Sequence, residues 1–110
     1  GNVIIFDVDV MGGINLKRLF GDDACSIFIM PPSVEELERR LHGRGTDSEE
    51  VIQKRMNEAK NEIRTFPKYD YVVINHDHGI DRAAQDVLSI LHAEKMRTLR
   101  NADIPETFFQ

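Results

Sequence analysis

At 110 residues the chain has room for one small domain with a modest core, or for part of a larger one. Its 41% hydrophobic and 30% charged residues are the composition of a soluble globular protein, and a net charge of −5 argues against broad, nonspecific nucleic-acid binding. The single cysteine, Cys25, excludes an internal disulfide and fits a reduced compartment, and no apolar run approaches the length of a membrane span.

The chain alternates apolar strands with amphipathic helices. Val3-Ile4-Ile5-Phe6 is a continuous β-branched and aromatic run, which predicts a strand buried on both faces and no targeting leader ahead of it. Gly12-Gly13 breaks it, and a short helix through Leu16, Leu19 and Phe20 follows, ended by Gly21. Residues 25–30 (CSIFIM) read as a second buried strand stopped by Pro31-Pro32. Ser33 with Glu36 three residues on forms a capping box for a helix carrying Val34, Leu37 and Leu41 on one face, and Gly43 ends it. Asp47 is placed to cap the next helix, whose stripe is Ile52, Met56, Ala59 and Ile63 and which Pro67 ends. Residues 71–74 form a third strand closed by Asn75. A last helix from Ile80 turns Ala83, Ala84, Val87, Leu88 and Leu91 inward. Residues 98–110 lose this period and read as a polar tail ending in Phe108-Phe109, placed to dock on a neighbour.

This order predicts an α/β fold: a parallel sheet with helices on both faces. Ligands in such sheets bind outside the carboxyl ends of the strands, which picks out Asp7, Asp9 and Gly12, the Pro31-Pro32-Ser33 turn, and Asn75-His76-Asp77. Three strands make a thin sheet, and the first is too apolar for an edge. A further strand is expected beside it, so the chain reads as the second half of a larger α/β protein.

Two stretches carry chemistry. In residues 39–55, RRLHGRGTDSEEVIQKR, the arginines Arg39, Arg40, Arg44 and Arg55 surround a loop broken by Gly43 and Gly45. Planar guanidinium groups converging from separate short elements suit triphosphate oxygens, and the glycines allow the loop to close as a lid. The plainer alternative is a solvated, charge-rich helix-loop-helix. At Asp7-Val8-Asp9 a carboxylate past a strand end holds Mg²⁺ through water or accepts hydrogen bonds from a base edge; the alternative is that both aspartates cap nearby amides. Cys25 reads as core rather than nucleophile, and the His76-x-His78 pair lacks a third ligand nearby.

FDVD with Gly12 behind it, then SIFIMPPSVEELERRLHGRGTDSEEVIQKR, then YDYVVINHD, resembles the second half of guanylate kinase from Val3 to about Met96. The PPS-x-EEL-x-RRL-x-GRGT-x-SEE string is highly specific. The resemblance implies a P-loop nucleoside monophosphate kinase, cytoplasmic, monomeric or homodimeric, without nucleic-acid or membrane partners. Such an enzyme moves a phosphoryl group from ATP to GMP or dGMP with Mg²⁺. By the same resemblance residues 1–97 are the C-terminal part of the domain, with a lid at about 39–55. Asp7 falls at the Mg²⁺-linked aspartate, and Asp9 and Gly12 at the GMP site. Arg40 and Arg44 match lid arginines that approach the adenine and phosphates of ATP. Arg44 and Arg55 match arginines that act on the transferring phosphates, and Asn75 an asparagine near the adenine.

Three departures stand out. Met11 replaces a glutamine before the glycine, and His76 replaces an aspartate in Asn-Asp-Asp. The chain also has no G-x-x-x-x-G-K-[ST] phosphate loop; the family's loop, its catalytic lysine and most of its GMP-binding segment lie upstream of the matching region. A non-catalytic guanylate-kinase-like module that binds phosphopeptides is the alternative. Such modules typically lose the second aspartate and the lid arginines, whereas Asp9, Arg44 and Arg55 are present here.

Overall fold

The computed structural model of the chain describes residues 3–43, 45, 47–76 and 80–110. Five helices and two strands follow in the order α1 (Val10–Phe20), β1 (Ile27–Met30), α2 (Val34–His42), α3 (Glu49–Ile63), β2 (Tyr71–Ile74), α4 (Ile80–Lys95) and α5 (Ile104–Phe108), with short 3-10 turns at Gly21–Asp23, Phe66–Lys68 and Thr98–Arg100. The strands pair in parallel, Ile27 opposite Tyr71 through Met30 opposite Ile74. The class and the parallel pairing agree with the sequence reading.

The expected first strand does not form. Residues 3–6 carry no strand pairing, and Ile5 is 76% exposed. A strand exists only through hydrogen bonds to a neighbour, and neither β1 nor β2 offers one here, so an apolar run with ideal strand composition stays single. The described sheet therefore has two strands rather than three. Nor are β1 and β2 covered evenly. Residues in register share a face. Val73 is 3% exposed while its partner Ile29 is 56% exposed; on the other face Phe28 is buried and Val72 is not. Each face is thus covered over one strand only.

The helix signals were mostly local and held. Ser33 Oγ accepts from the Glu36 amide at 3.1 Å, capping α2 as its S-x-x-E spacing implies. Gly21 closes α1 at φ 54°, a left-handed value that disfavours any side chain. Ser48, not Asp47, caps α3, with its hydroxyl on the Val51 amide. In α3 the stripe Ile52 and Met56 is buried as expected. In α4, Ala83 is buried but Ala84 and Leu88 face solvent, and Glu94 is buried. The helix packs chiefly on β2, and the wide apolar stripe is only partly used.

The core is small: Phe28, Ile52, Met56, Val73 and Ala83. The chain measures 65 × 29 × 21 Å with a radius of gyration of 17.8 Å, against about 13 Å for a compact domain near this size.

Candidate functional site

Three pairs of residues carry the candidate site. The first lies at the carboxyl end of β2. Arg40, in the last turn of α2, reaches across to the strand end, where its Nη2 donates to the Asn75 carbonyl at 2.7 Å. Its Nε donates to Glu36 Oε1 at 2.9 Å, one turn earlier on the same helix. Glu36 also accepts from Arg39. The Arg39 hydrogen bond is the main reason the Glu36 carboxyl is held below the usual glutamate range, with Arg40 adding to it. Asn75 in turn donates its amide to the Met30 carbonyl, extending the sheet ladder one residue past both strands. Arg40 and Asn75, chosen separately from sequence, are therefore in direct contact.

The second pair is Arg55 and Asp47. Arg55 sits in the second turn of α3, and its Nη1 pairs with Asp47 Oδ2 at 2.9 Å. This displaces the capping role expected of Asp47: its carboxylate turns to the arginine, and the neighbouring Ser48 takes the helix amides. Between α2 and α3 Gly45 holds φ 72°, a conformation suited to glycine. Arg44 lies outside the described residues, as does Asp77.

The third pair is Asp9 and Gly12. Asp9 caps α1, its Oδ1 accepting from the Gly12 amide at 2.7 Å. This is the capping alternative raised for the aspartates, and it means that α1 begins at Val10 and runs through Gly12-Gly13, the expected break. Asp7 is exposed just ahead of it.

Expected to gather at one end of the sheet, the three loops do not. The first turn of α1 lies against Tyr69, whose hydroxyl donates to the Val10 carbonyl at 3.3 Å. Tyr69 is two residues ahead of β2, and Asn75 one residue behind it, roughly 20 Å apart at an extended rise. The anchors of α1 explain its position. Lys17 Nζ pairs with Asp70 at 2.8 Å and donates to the Ala24 carbonyl at 2.6 Å, while Asp70 accepts from both the amide and hydroxyl of Ser26. Burial pushes the Asp70 carboxyl up, but the Lys17 and Ser26 hydrogen bonds outweigh it and hold it below the usual aspartate range. With residues 3–6 unpaired, these contacts at the amino ends of the strands are what hold α1.

Sequence reasoning missed the partners rather than the site residues. Glu36 at i−4 from Arg40 is a spacing that signals a helical ion pair, and it was legible. Asp47 and Asp70 are loop carboxylates whose partners lie eight and 53 residues away, and no local pattern marks them.

The guanylate kinase family profile matches residues 1–94. The chain belongs to the guanylate kinase family. It is 45% identical over 104 residues to a guanylate kinase of Rhodopseudomonas palustris, covering 94% of this chain and 47% of that protein. To a guanylate kinase of Zymomonas mobilis it is 48% identical over 100 residues, 91% of this chain and 45% of that protein. To one of Bacteroides fragilis it is 52% identical over 77 residues, 70% and 38% respectively. The chain thus spans less than half the length of these guanylate kinases. Among the described residues no group of three or more histidine, cysteine or acidic side chains is placed to hold a metal ion, and no helix is long and apolar enough to cross a membrane.

Proposed function

We propose that this chain is the lid-bearing part of an enzyme that transfers a phosphoryl group from ATP to GMP or dGMP. The observation that carries the proposal is the Arg40–Asn75 contact at the carboxyl end of β2, within a chain of the guanylate kinase family. It sets a lid helix against the end of the sheet where ligands of α/β proteins bind. Arg40 and Asn75 would meet the adenine side of ATP, and Arg44 and Arg55 the transferring phosphates. Cations positioned there stabilise charge spread over the equatorial oxygens of a loose transition state. The Arg55–Asp47 ion pair fits this: Asp47 would hold the guanidinium until phosphate oxygens take its place.

Asp9 and Gly12 would bind GMP. The Asp9 carboxylate has one oxygen on Gly12 and, among the described residues, no partner on the other, which could accept from a base edge. Because α1 starts at the opposite end of the sheet from Arg40 and Asn75, this role would require α1 to shift. Asp7, an exposed carboxylate, fits Mg²⁺ as that ion is usually held, through water and with most of its shell supplied by substrate phosphates. The ion, when bound with ATP, would neutralise charge on the phosphate oxygens. Turnover requires a phosphate loop, which residues 1–110 do not contain. The phosphopeptide-binding alternative is not favoured: the relatives are named as kinases, and Asp9, Arg44 and Arg55 are all kept.

The test is steady-state kinetics on a longer polypeptide in which these residues are joined behind a phosphate-loop segment. The expected result is ADP release that depends on GMP and saturates with it. ADP release indifferent to GMP would reject the proposal.

A further inference from the structure

We infer that Glu36 is a positioning residue for Arg40, setting the guanidinium for ATP; the inference rests on the reading of Arg40 as an ATP contact. A free arginine side chain samples many rotamers, and ordering it on binding weakens affinity. Here the fork is fixed at two points before any ligand arrives. Glu36 Oε1 takes Nε at 2.9 Å, and the Asn75 carbonyl takes Nη2 at 2.7 Å. These two acceptors lie on different elements, α2 and the end of β2, so together they fix both the reach and the plane of the group. Among the described residues neither contact uses Nη1, which with the flat face is left to a ligand. Glu36 is itself held. Its amide is tied to Ser33 Oγ at 3.1 Å, and its side chain is only 15% exposed. The arginines beside it keep it ionised as pH falls.

This is a different job from the capping box that the S-x-x-E spacing signals. In a full capping box the glutamate reaches back to the N-cap amide. Glu36 instead turns forward to Arg39 and Arg40, giving its carboxylate to the lid arginines. That choice is what singles it out from the other acidic residues of α2.

The test uses the longer polypeptide and a two-residue cycle. Arg40→Ala is expected to raise KM for ATP, and Glu36→Ala to raise it about tenfold, as loss of one charge-assisted bond implies. For Glu36→Ala the kcat and the KM for GMP should stay within about threefold. The double variant should be no worse than Arg40→Ala alone, because Glu36 acts only through Arg40. Glu36→Gln, which keeps one acceptor oxygen and the side-chain volume, should recover part of the ATP affinity and covers the case in which Glu36→Ala folds poorly. A direct readout is the Arg40 Nε–H resonance of the ligand-free protein: protected from solvent exchange in the parent and in Glu36→Gln, unprotected in Glu36→Ala. If Arg40→Ala raises KM for ATP while Glu36→Ala and Glu36→Gln both leave it unchanged, or if the two losses multiply, the positioning role is wrong. If Arg40→Ala itself leaves KM for ATP unchanged, the ATP reading of Arg40 fails and the inference with it.

Discussion

Arg40 and Asn75, 35 residues apart, meet side chain to backbone at 2.7 Å and so fasten the last turn of α2 to the end of β2. The contact ties the end of α2 to the sheet, while near the start of α3 Arg55 pairs with the loop carboxylate of Asp47. The two anchors differ in kind. The first uses a half-buried guanidinium on a backbone carbonyl that cannot move without the strand; the second joins side chains that water or phosphate can replace.

That difference sets an expectation for dynamics. Hydrogen exchange at residues 47–55 should slow on adding ATP to the longer polypeptide, with a smaller change at residues 34–40, already fixed by Glu36 and Asn75. Lids of this kind order on ligand binding. Equal protection with and without nucleotide across 47–55 would contradict it.

The residue roles separate kinetically. Arg55→Ala should depress kcat by about a hundredfold or more, since it removes a group that meets charge developing in transfer. Asp9→Ala should act mainly on KM for GMP, because a carboxylate accepting from a base does so in ground and transition states alike. Asp9→Ala should also cost about 1 kcal/mol in stability, because it uncaps α1. Steady-state kinetics at saturating ATP, with thermal melts alongside, check all three.

The fold was legible wherever its signals were local. Ser33, Gly21 and the Ile52–Met56 stripe carry their instructions within one or two turns, and each element formed as its residues predict. Residues 3–6 did not, because strand composition is only half of a strand; the other half is a neighbour. The same physics blurred the site. Arg40, Arg55, Asp9 and Asn75 were picked out by residue type and resemblance. Their partners Glu36 and Gly12 lie within one helical turn and were readable. Asp47 was assigned the wrong partner, since Ser48 competes for the same helix amides and Arg55 offers the carboxylate a full charge. In the Glu94 cluster only Arg97, three residues on, was within readable helical spacing; Tyr71 in β2 and Arg100 beyond α4 carry no local signal.

That cluster joins the supposed tail to the fold. Glu94, 7% exposed, accepts from Tyr71 at 2.7 Å and from Arg100 at 3.1 Å. Chiefly the Tyr71 hydrogen bond holds its carboxyl below the ordinary 4.5 of a glutamate, against the opposing effect of burial and with help from Arg100. A depressed carboxyl contributes stability that is full above its unfolded value and is lost as pH falls through the lower folded one. Asp70 acts in the same direction from the ordinary 3.8 of an aspartate. Stability should therefore be flat above about pH 5 and decline below pH 4.5. Glu94→Gln should flatten part of that decline, measured by urea midpoints across pH. An unchanged acid limb in Glu94→Gln would show that the cluster contributes nothing to it.

Gly13 offers a packing test. A Cβ there would lie 2.8 Å from the Tyr69 hydroxyl, and the Tyr69 ring is held edge-on to Phe28 at 5.1 Å between centroids. Alanine in a helix interior otherwise gains about 0.5–1 kcal/mol over glycine. Gly13→Ala should thus be neutral or destabilising in the parent and stabilising in a Tyr69→Phe background. Equal effects in both backgrounds, by chemical denaturation, would rule out the clash.

The central claim is that this chain supplies the lid and base-reading part of a GMP kinase and depends on a phosphate loop for turnover. A coupled ADP-release assay on the longer polypeptide and on residues 1–110 alone tests it most directly. The account predicts GMP-dependent release from the longer polypeptide and none from residues 1–110. Clear GMP-dependent turnover by residues 1–110, or none by the longer polypeptide, would contradict it.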